Sequence, residues 1–230
     1  MTKAVFVLTS RNRMGDTDRQ TGFYYDEMAI PYWALADAGV DIDIASIDGG
    51  PPPPDPHSLE RDGEPIAEVE RFRGDPASMR KLNGSQPVDA IDPDAYDIVF
   101  LPGGHGTMWD FAQSAALGKL IGRIYDRGGI VGAVCHGPTG LIGARRADGK
   151  PLVEGLRVNS FTNKEEEQVG LADVIPYFTE TELQQQGAIF EKAGPFEPFA
   201  VRDGRLITGQ NPMSSPRVAS LLLEALNELH

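Results

Sequence analysis

A chain of 230 residues, 40% of them hydrophobic, is long enough to bury a core of its own, and one α/β domain of that size is common. Thirty-four acidic side chains against 21 lysines and arginines leave a formal net charge of −13, which repels nucleic-acid phosphates and anionic membrane surfaces alike. A single cysteine cannot close an internal disulfide, and the first apolar run, AVFVL, is too short for a signal or spanning segment, so a reducing, cytoplasmic setting is expected.

Short runs rich in Val, Ile and Phe alternate with longer stretches of helical period. That alternation predicts an α/β fold: a doubly wound, mostly parallel central sheet with helices on both faces. Residues 4–9 read as the first strand, 27–38 as a helix stopped by Gly39, and 40–47 as the second strand. The stretch DGGPPPPDPHS then breaks all periodicity, because proline fixes φ and lacks a ladder donor. Nothing before it could bury a core alone. Residues 1–230 are therefore read as one domain with a Pro-rich loop and a small insertion around 48–95, in which only 75–82 suggest a helix.

YDIVFLPGG is the next strand with its exit loop. Residues 114–127 place Leu117, Leu120, Ile121 and Ile124 on one helical face, and GGIVGAVCHG returns as a strand. GLRVNSF reads as a further strand, 163–170 and 179–186 as helices, and FAVRDGRLIT as a hairpin turned at Asp203 and Gly204. Residues 214–229 close the chain as an amphipathic helix.

The lone Cys135 stands in GAVCHGPTG. Strand, small residues, Cys, then Gly-Pro opening a helix is the order of a nucleophile elbow, a sharp turn that lifts one side chain above the sheet edge. The helix N-terminus beyond it is expected to lower the thiol pKa. Most lone cysteines are buried packing residues; the elbow and the adjacent His136 favour a nucleophile. FLPGGHGTMWD supplies the facing wall, and the backbone N–H groups of Gly104 and His136 are the candidate oxyanion hole. Its glycines lack the spacing of a dinucleotide fingerprint. Tyr24, Tyr25, His105 and Trp109 are expected to line a pocket for a small carbonyl compound. No residues show metal-ligand spacing, and no metal is expected.

PGGHG, AVCHGP, TGFYYDEMAIPYWALADAGVDIDIAS, PPPDPHS, FTNKEEE and LITGQNPMSSPRVASLLLEAL together resemble the DJ-1/PfpI superfamily over essentially the whole chain. The resemblance is to its heat-shock chaperone-like branch, many of whose members are called glutathione-independent glyoxalases. It implies a flavodoxin-like sheet of the DJ-1/PfpI, class I glutamine amidotransferase-like kind, with Cys135 as nucleophile and His136 as its partner. The family's acid that approaches the thiol from the first helix falls on Glu27, with Asp26 as the alternative register. The acid orienting the histidine falls on Glu166, with Glu165 and Glu167 open to the same role. His136 can act through its imidazole or through its backbone N–H alone. An amidotransferase triad needs a histidine far downstream, where the chain offers only its last residue, His230.

The activity so implied is glyoxalase III chemistry, in which a 2-oxoaldehyde such as methylglyoxal and water become a 2-hydroxy acid such as lactate. It proceeds through a hemithioacetal on Cys135, with no nucleotide, metal or glutathione as cofactor. Two other readings remain, a holding chaperone of the stress response and a deglycase or amidohydrolase using the same thiol. An exposed, low-pKa thiol would also suit oxidation sensing. The resemblance further implies a homodimer.

Overall fold

Residues 2–61 and 63–228 are described by a computed structural model. Leu229, the expected end of the last helix, and His230 lie outside the described residues. The strand β1 (Lys3–Leu8) runs parallel to β2 (Asp41–Ser46), with α1 (Tyr25–Asp37) crossing between them. A hairpin of β3 (Glu60–Arg61) and β4 (Glu64–Pro65) leads to α2 (Ala67–Gly74), α3 (Pro76–Asn83) and the edge strand β5 (Gln86–Pro87). Then come β6 (Ile98–Leu101), α4 (Ala115–Asp126), β7 (Ile130–Val134) and the single turn α5 (Thr139–Ile142). β8 (Arg157–Val158), α6 (Asn163–Gln168), α7 (Thr179–Gln185) and β9 (Ile189–Phe190) follow. The hairpin β10 (Ala200–Asp203) and β11 (Leu206–Gly209) precedes α8 (Ser215–Glu228).

The main sheet has the order β10-β11-β7-β6-β1-β2-β5, parallel throughout except for β10. Successive side chains along each strand point to opposite faces. Phe6, Leu8, Ile98 and Phe100 accordingly join Met28 and Leu35 of α1 and Leu222 of α8 on one side. Val5, Val7, Val99 and Leu101 join Leu117, Leu120 and Ile121 of α4 on the other. Each such side chain contributes roughly 1.5–3 kcal/mol by leaving water. The chain winds one way from β1 to β2 and the other way from β6 to β7, so the sheet reverses between β1 and β6. Beyond the carboxyl ends of the strands at such a reversal lies the crevice where α/β sheets bind ligands. No helix of the described residues is long and apolar enough to cross a membrane.

Three expectations shift. The helix α2 carries only two buried residues, Val69 and Phe72, too few to give its polar sequence a visible period. The predicted strand GLRVNSF shrinks to the two residues of β8, paired with β9 in a small separate sheet. Beyond it the backbone is drawn out of any ladder: the Asn159 N–H donates to Thr208 Oγ1 at 2.8 Å and the Phe161 N–H to the Cys135 carbonyl at 2.8 Å. The first helix begins at Tyr25, two residues before its predicted start, and this brings Asp26 and Glu27 into its buried first turn.

Candidate active site

Cys135 leaves the end of β7 with φ 59°, in the left-handed region that a side chain rarely adopts. Three backbone bonds impose it. The Cys135 N–H donates to Gly209 O at 2.9 Å, its carbonyl accepts from Phe161, and the Gly137 N–H donates back to Val134 O at 2.8 Å. The turn closes so tightly that a Cβ on Gly137 would fall 2.0 Å from the Leu101 carbonyl oxygen. This is the strand-to-helix elbow that the small residues suggest.

The thiol itself departs from expectation. Cys135 is 3% exposed, and burial, followed by the neighbouring Glu27 carboxyl, pushes it well above the ordinary thiol range. The helix beyond it, α5, has four residues and so offers little macrodipole to oppose this. Burial and Glu27 thus favour the thiol form, against the exposed thiolate that oxidation sensing assumes.

Beside it stands a base. Sγ of Cys135 is 3.2 Å from Nδ1 of His136, and Nε2 of the same ring is 2.5 Å from Oε1 of Glu166. Burial alone would raise the Glu166 carboxyl, but the His136 and His105 rings hold it down at about 2. An ionised carboxylate only accepts, so the His136 proton sits on Nε2 and the lone pair of Nδ1 faces the thiol. Burial, helped by the His105 ring, also lowers the His136 pKa and keeps the imidazole neutral. His105 approaches the other oxygen, Nε2 to Oε2 of Glu166 at 3.1 Å, with its ring centroid 4.0 Å from that of His136. One carboxylate thus binds two imidazoles. The ligand atoms of His105, His136 and Glu166 lie within 4.8 Å of one another, a donor set able to hold a metal ion although the three are far apart in sequence.

The neighbouring glutamates differ in what they touch. Glu165 closes the capping box of α6 with Thr162, and Glu167 lies exposed with Lys164. Only Glu166 reaches His136.

On the opposite side of the thiol, Glu27 is fully buried. Its Oε2 accepts the Gly103 N–H at 2.7 Å, Oε1 has no hydrogen-bond partner among the described residues, and the carboxyl stands near enough to the thiol for the two ionisations to oppose each other. Burial, then the charge of Asp26, raises the Glu27 carboxyl well above the usual range, which favours its protonated form. Asp26 points away to Arg61, which holds it against a larger rise; burial still lifts it to about 6.

A cavity of about 370 Å³ opens over these groups, lined by Tyr24, Gly104, His105, Cys135 and His136 among others. Gly104 has φ 101°, and a Cβ there would meet the Gly22 carbonyl oxygen at 2.1 Å, so the wall facing Cys135 is bare backbone. Tyr24 hydrogen-bonds across the mouth, its hydroxyl to His57 O at 3.2 Å. Tyr25 turns into the core against Phe23 and Phe72. Trp109 also lies outside this cavity. It covers Gly15 and borders a separate depression with Arg11 and Arg13, because the 3-10 turn His105–Trp109 carries it round to the far side of the loop.

The pattern of the DJ-1/PfpI family matches residues 21–225, a span that contains Glu27, Cys135, His136 and Glu166. The chain belongs to the DJ-1/PfpI family. It is 32% identical to Glyoxalase 3 of Candida albicans over 98% of both chains, and 30% identical to the glutathione-independent glyoxalase HSP31 of Saccharomyces cerevisiae over 97% and 98%. Among solved structures, the rapid encystment protein REP24 of Francisella tularensis superposes with a TM-score of 0.93 at 33% identity, covering 98% of this chain and 99% of that one. Glyoxalase III of Candida albicans superposes with a TM-score of 0.89 at 31% identity, covering 97% of each.

In this DJ-1/PfpI chain several site residues escape sequence reasoning. His105 lines the cavity as expected, but nothing local signals its bond to Glu166. Phe161, whose ring centroid is 4.6 Å from that of His136, reads as a strand residue. The Asp26–Arg61 pair joins α1 to the insertion hairpin, a contact that only tertiary structure creates.

Proposed function

We propose that this protein is a cysteine-dependent, glutathione-independent glyoxalase that converts a 2-oxoaldehyde and water into a 2-hydroxy acid. The observation that carries the reading is the line Cys135, His136, Glu166, with the buried Glu27 carboxyl near the same thiol. The names of the relatives in Candida albicans and Saccharomyces cerevisiae support it.

Attack begins when His136 Nδ1 takes the thiol proton as Sγ adds to the aldehyde carbon. The N–H groups of Gly104 and His136 steady the oxyanion, which regains the proton to give a hemithioacetal. His136 then removes the hydrogen on that carbon while Glu27 protonates the oxygen of the adjacent carbonyl, giving an enediol. In the reverse exchange, the Glu27 carboxylate takes the proton from the first hydroxyl and His136 returns its proton to the second carbon. A thioester results, and both groups are restored. Water, deprotonated by His136, cleaves it, the 2-hydroxy acid leaves, and the sulfur recovers its proton. Each proton transfer of this type is worth about 10²- to 10⁴-fold in rate.

Among the described residues the exposed large apolar side chains are Val169, Ile189 and Phe196, and two of these border the cavity. They serve the site better than a client-holding patch. Incubating the purified protein with methylglyoxal and following lactate tests the proposal; formation no faster than with Cys135→Ala protein would refute it.

A further inference from the structure

Among the described residues, two non-glycine side chains sit at positive φ: Cys135 at 59° and Phe196 at 60°. Both line the same cavity. Such backbone costs about 1–3 kcal/mol and persists only where its surroundings over-determine it. For Phe196 the surroundings are specific. Its N–H donates at 2.8 Å to Oε1 of Glu165, a fully buried carboxylate that also accepts from Asn211 Nδ2 at 3.0 Å and Gln210 Nε2 at 3.2 Å. The other oxygen of Glu165 accepts from Thr162 N and Oγ1, each at 2.8 Å. Adjacent residues of α6 thus hold the two ends of the pocket, Glu166 the catalytic imidazole and Glu165 the strained Phe196.

What this scaffold displays is apolar. Phe196 is 39% exposed and its ring meets Phe161 edge-on, centroids 6.1 Å apart at 65°, while the Phe161 ring lies 4.6 Å from that of His136 at 34°. An aromatic wall therefore runs from the base to the mouth, with Val169, Pro212 and Met213 beside it. The lining also carries Arg61, already paired with Asp26, and Glu60; with a net charge of −13 this disfavours an anionic substituent. The cavity, about 370 Å³, falls in the range of sites that enclose drug-sized ligands, and methylglyoxal leaves most of it empty.

We infer that the outer part of the cavity is an apolar subsite whose specificity-determining wall is Phe196, and that the substrates are 2-oxoaldehydes bearing an aryl or bulky alkyl group. The inference rests on the glyoxalase reading above. The carbonyl pair sits at Cys135 and the substituent stacks along Phe161 and Phe196.

Phenylglyoxal and methylglyoxal are the probes. Wild type should favour phenylglyoxal in kcat/KM by at least about tenfold, the discrimination an apolar pocket provides. Phe196→Gly, which accepts positive φ without strain and so spares the fold, should lower that ratio by a similar factor, and Phe196→Tyr should retain it. Calorimetry with Cys135→Ala protein reads the subsite without turnover: mandelate should bind tighter than lactate, and the difference should vanish when Phe196→Gly is added. Turnover of methylglyoxal with a ratio that Phe196→Gly leaves unchanged overturns the subsite. Inertness toward both aldehydes refutes the glyoxalase reading instead, and equal binding of the two acids then refutes the subsite on its own.

Discussion

The His136 imidazole and the Glu166 carboxylate meet at 2.5 Å with both side chains almost wholly buried. The charge of Glu166 fixes the proton on Nε2 and so turns the lone pair of Nδ1 toward Cys135. Glu166→Gln keeps the shape and removes the charge. Turnover of methylglyoxal should fall by about 10²- to 10⁴-fold, measured as kcat against protein whose unfolding midpoint is unchanged.

Cys135→Ala should abolish lactate formation, since no other described group can form the thioester. Glu27→Gln can still donate to the substrate oxygen yet cannot exchange a proton, and should cost about 10²- to 10⁴-fold in kcat. Steady-state assays separate the two: a Glu27→Gln enzyme within tenfold of wild type would assign the proton transfers to His136 alone.

His105 donates to the second oxygen of Glu166 and is one of two rings holding that carboxyl at about 2. His105→Ala removes that support, so the carboxyl must rise toward its ordinary value. Protonated Glu166 can no longer orient His136. The acidic limb of the kcat/KM profile should therefore move to higher pH, and an unmoved limb would show that His105 acts on substrate only.

Asp26 holds its proton more tightly folded, at about 6, than unfolded, at 3.8. Its contribution to stability is fully present below pH 3.8 and is lost as pH rises through 6. Between pH 4 and 7 wild type should lose up to about 3 kcal/mol that Asp26→Asn does not. Urea unfolding of both proteins at the two pH values measures the difference.

Gly137→Ala would set a methyl group 2.0 Å from the Leu101 carbonyl oxygen, where only backbone could give way. A loss of about 1–3 kcal/mol is expected, or a fall of roughly 2–10 °C in Tm. Calorimetric melting reads it, and thiol chemistry at Cys135 should be disturbed in the same variant.

Much of this is legible in the chain. Continuous Val-, Ile- and Phe-rich runs, separated by helical stretches, identify the parallel sheet, because a strand buried on both faces must be apolar throughout. The string GAVCHGPTG identifies the elbow, since only small residues fit there. The insertion is less readable: α2 buries Val69 and Phe72 alone, so its period is faint. GLRVNSF has the composition of a strand, but its donors are claimed by Thr208 and Cys135 from elsewhere.

The sequence by itself therefore determined the sheet, the elbow and the identity of the thiol, all of which depend on neighbours within a few residues. Tertiary structure decided the rest. Which of three consecutive glutamates reaches His136, that His105 shares it, that Trp109 faces elsewhere and that burial raises rather than lowers the thiol all depend on distances between distant segments. Burial and charge act through space, and the chain order does not record them.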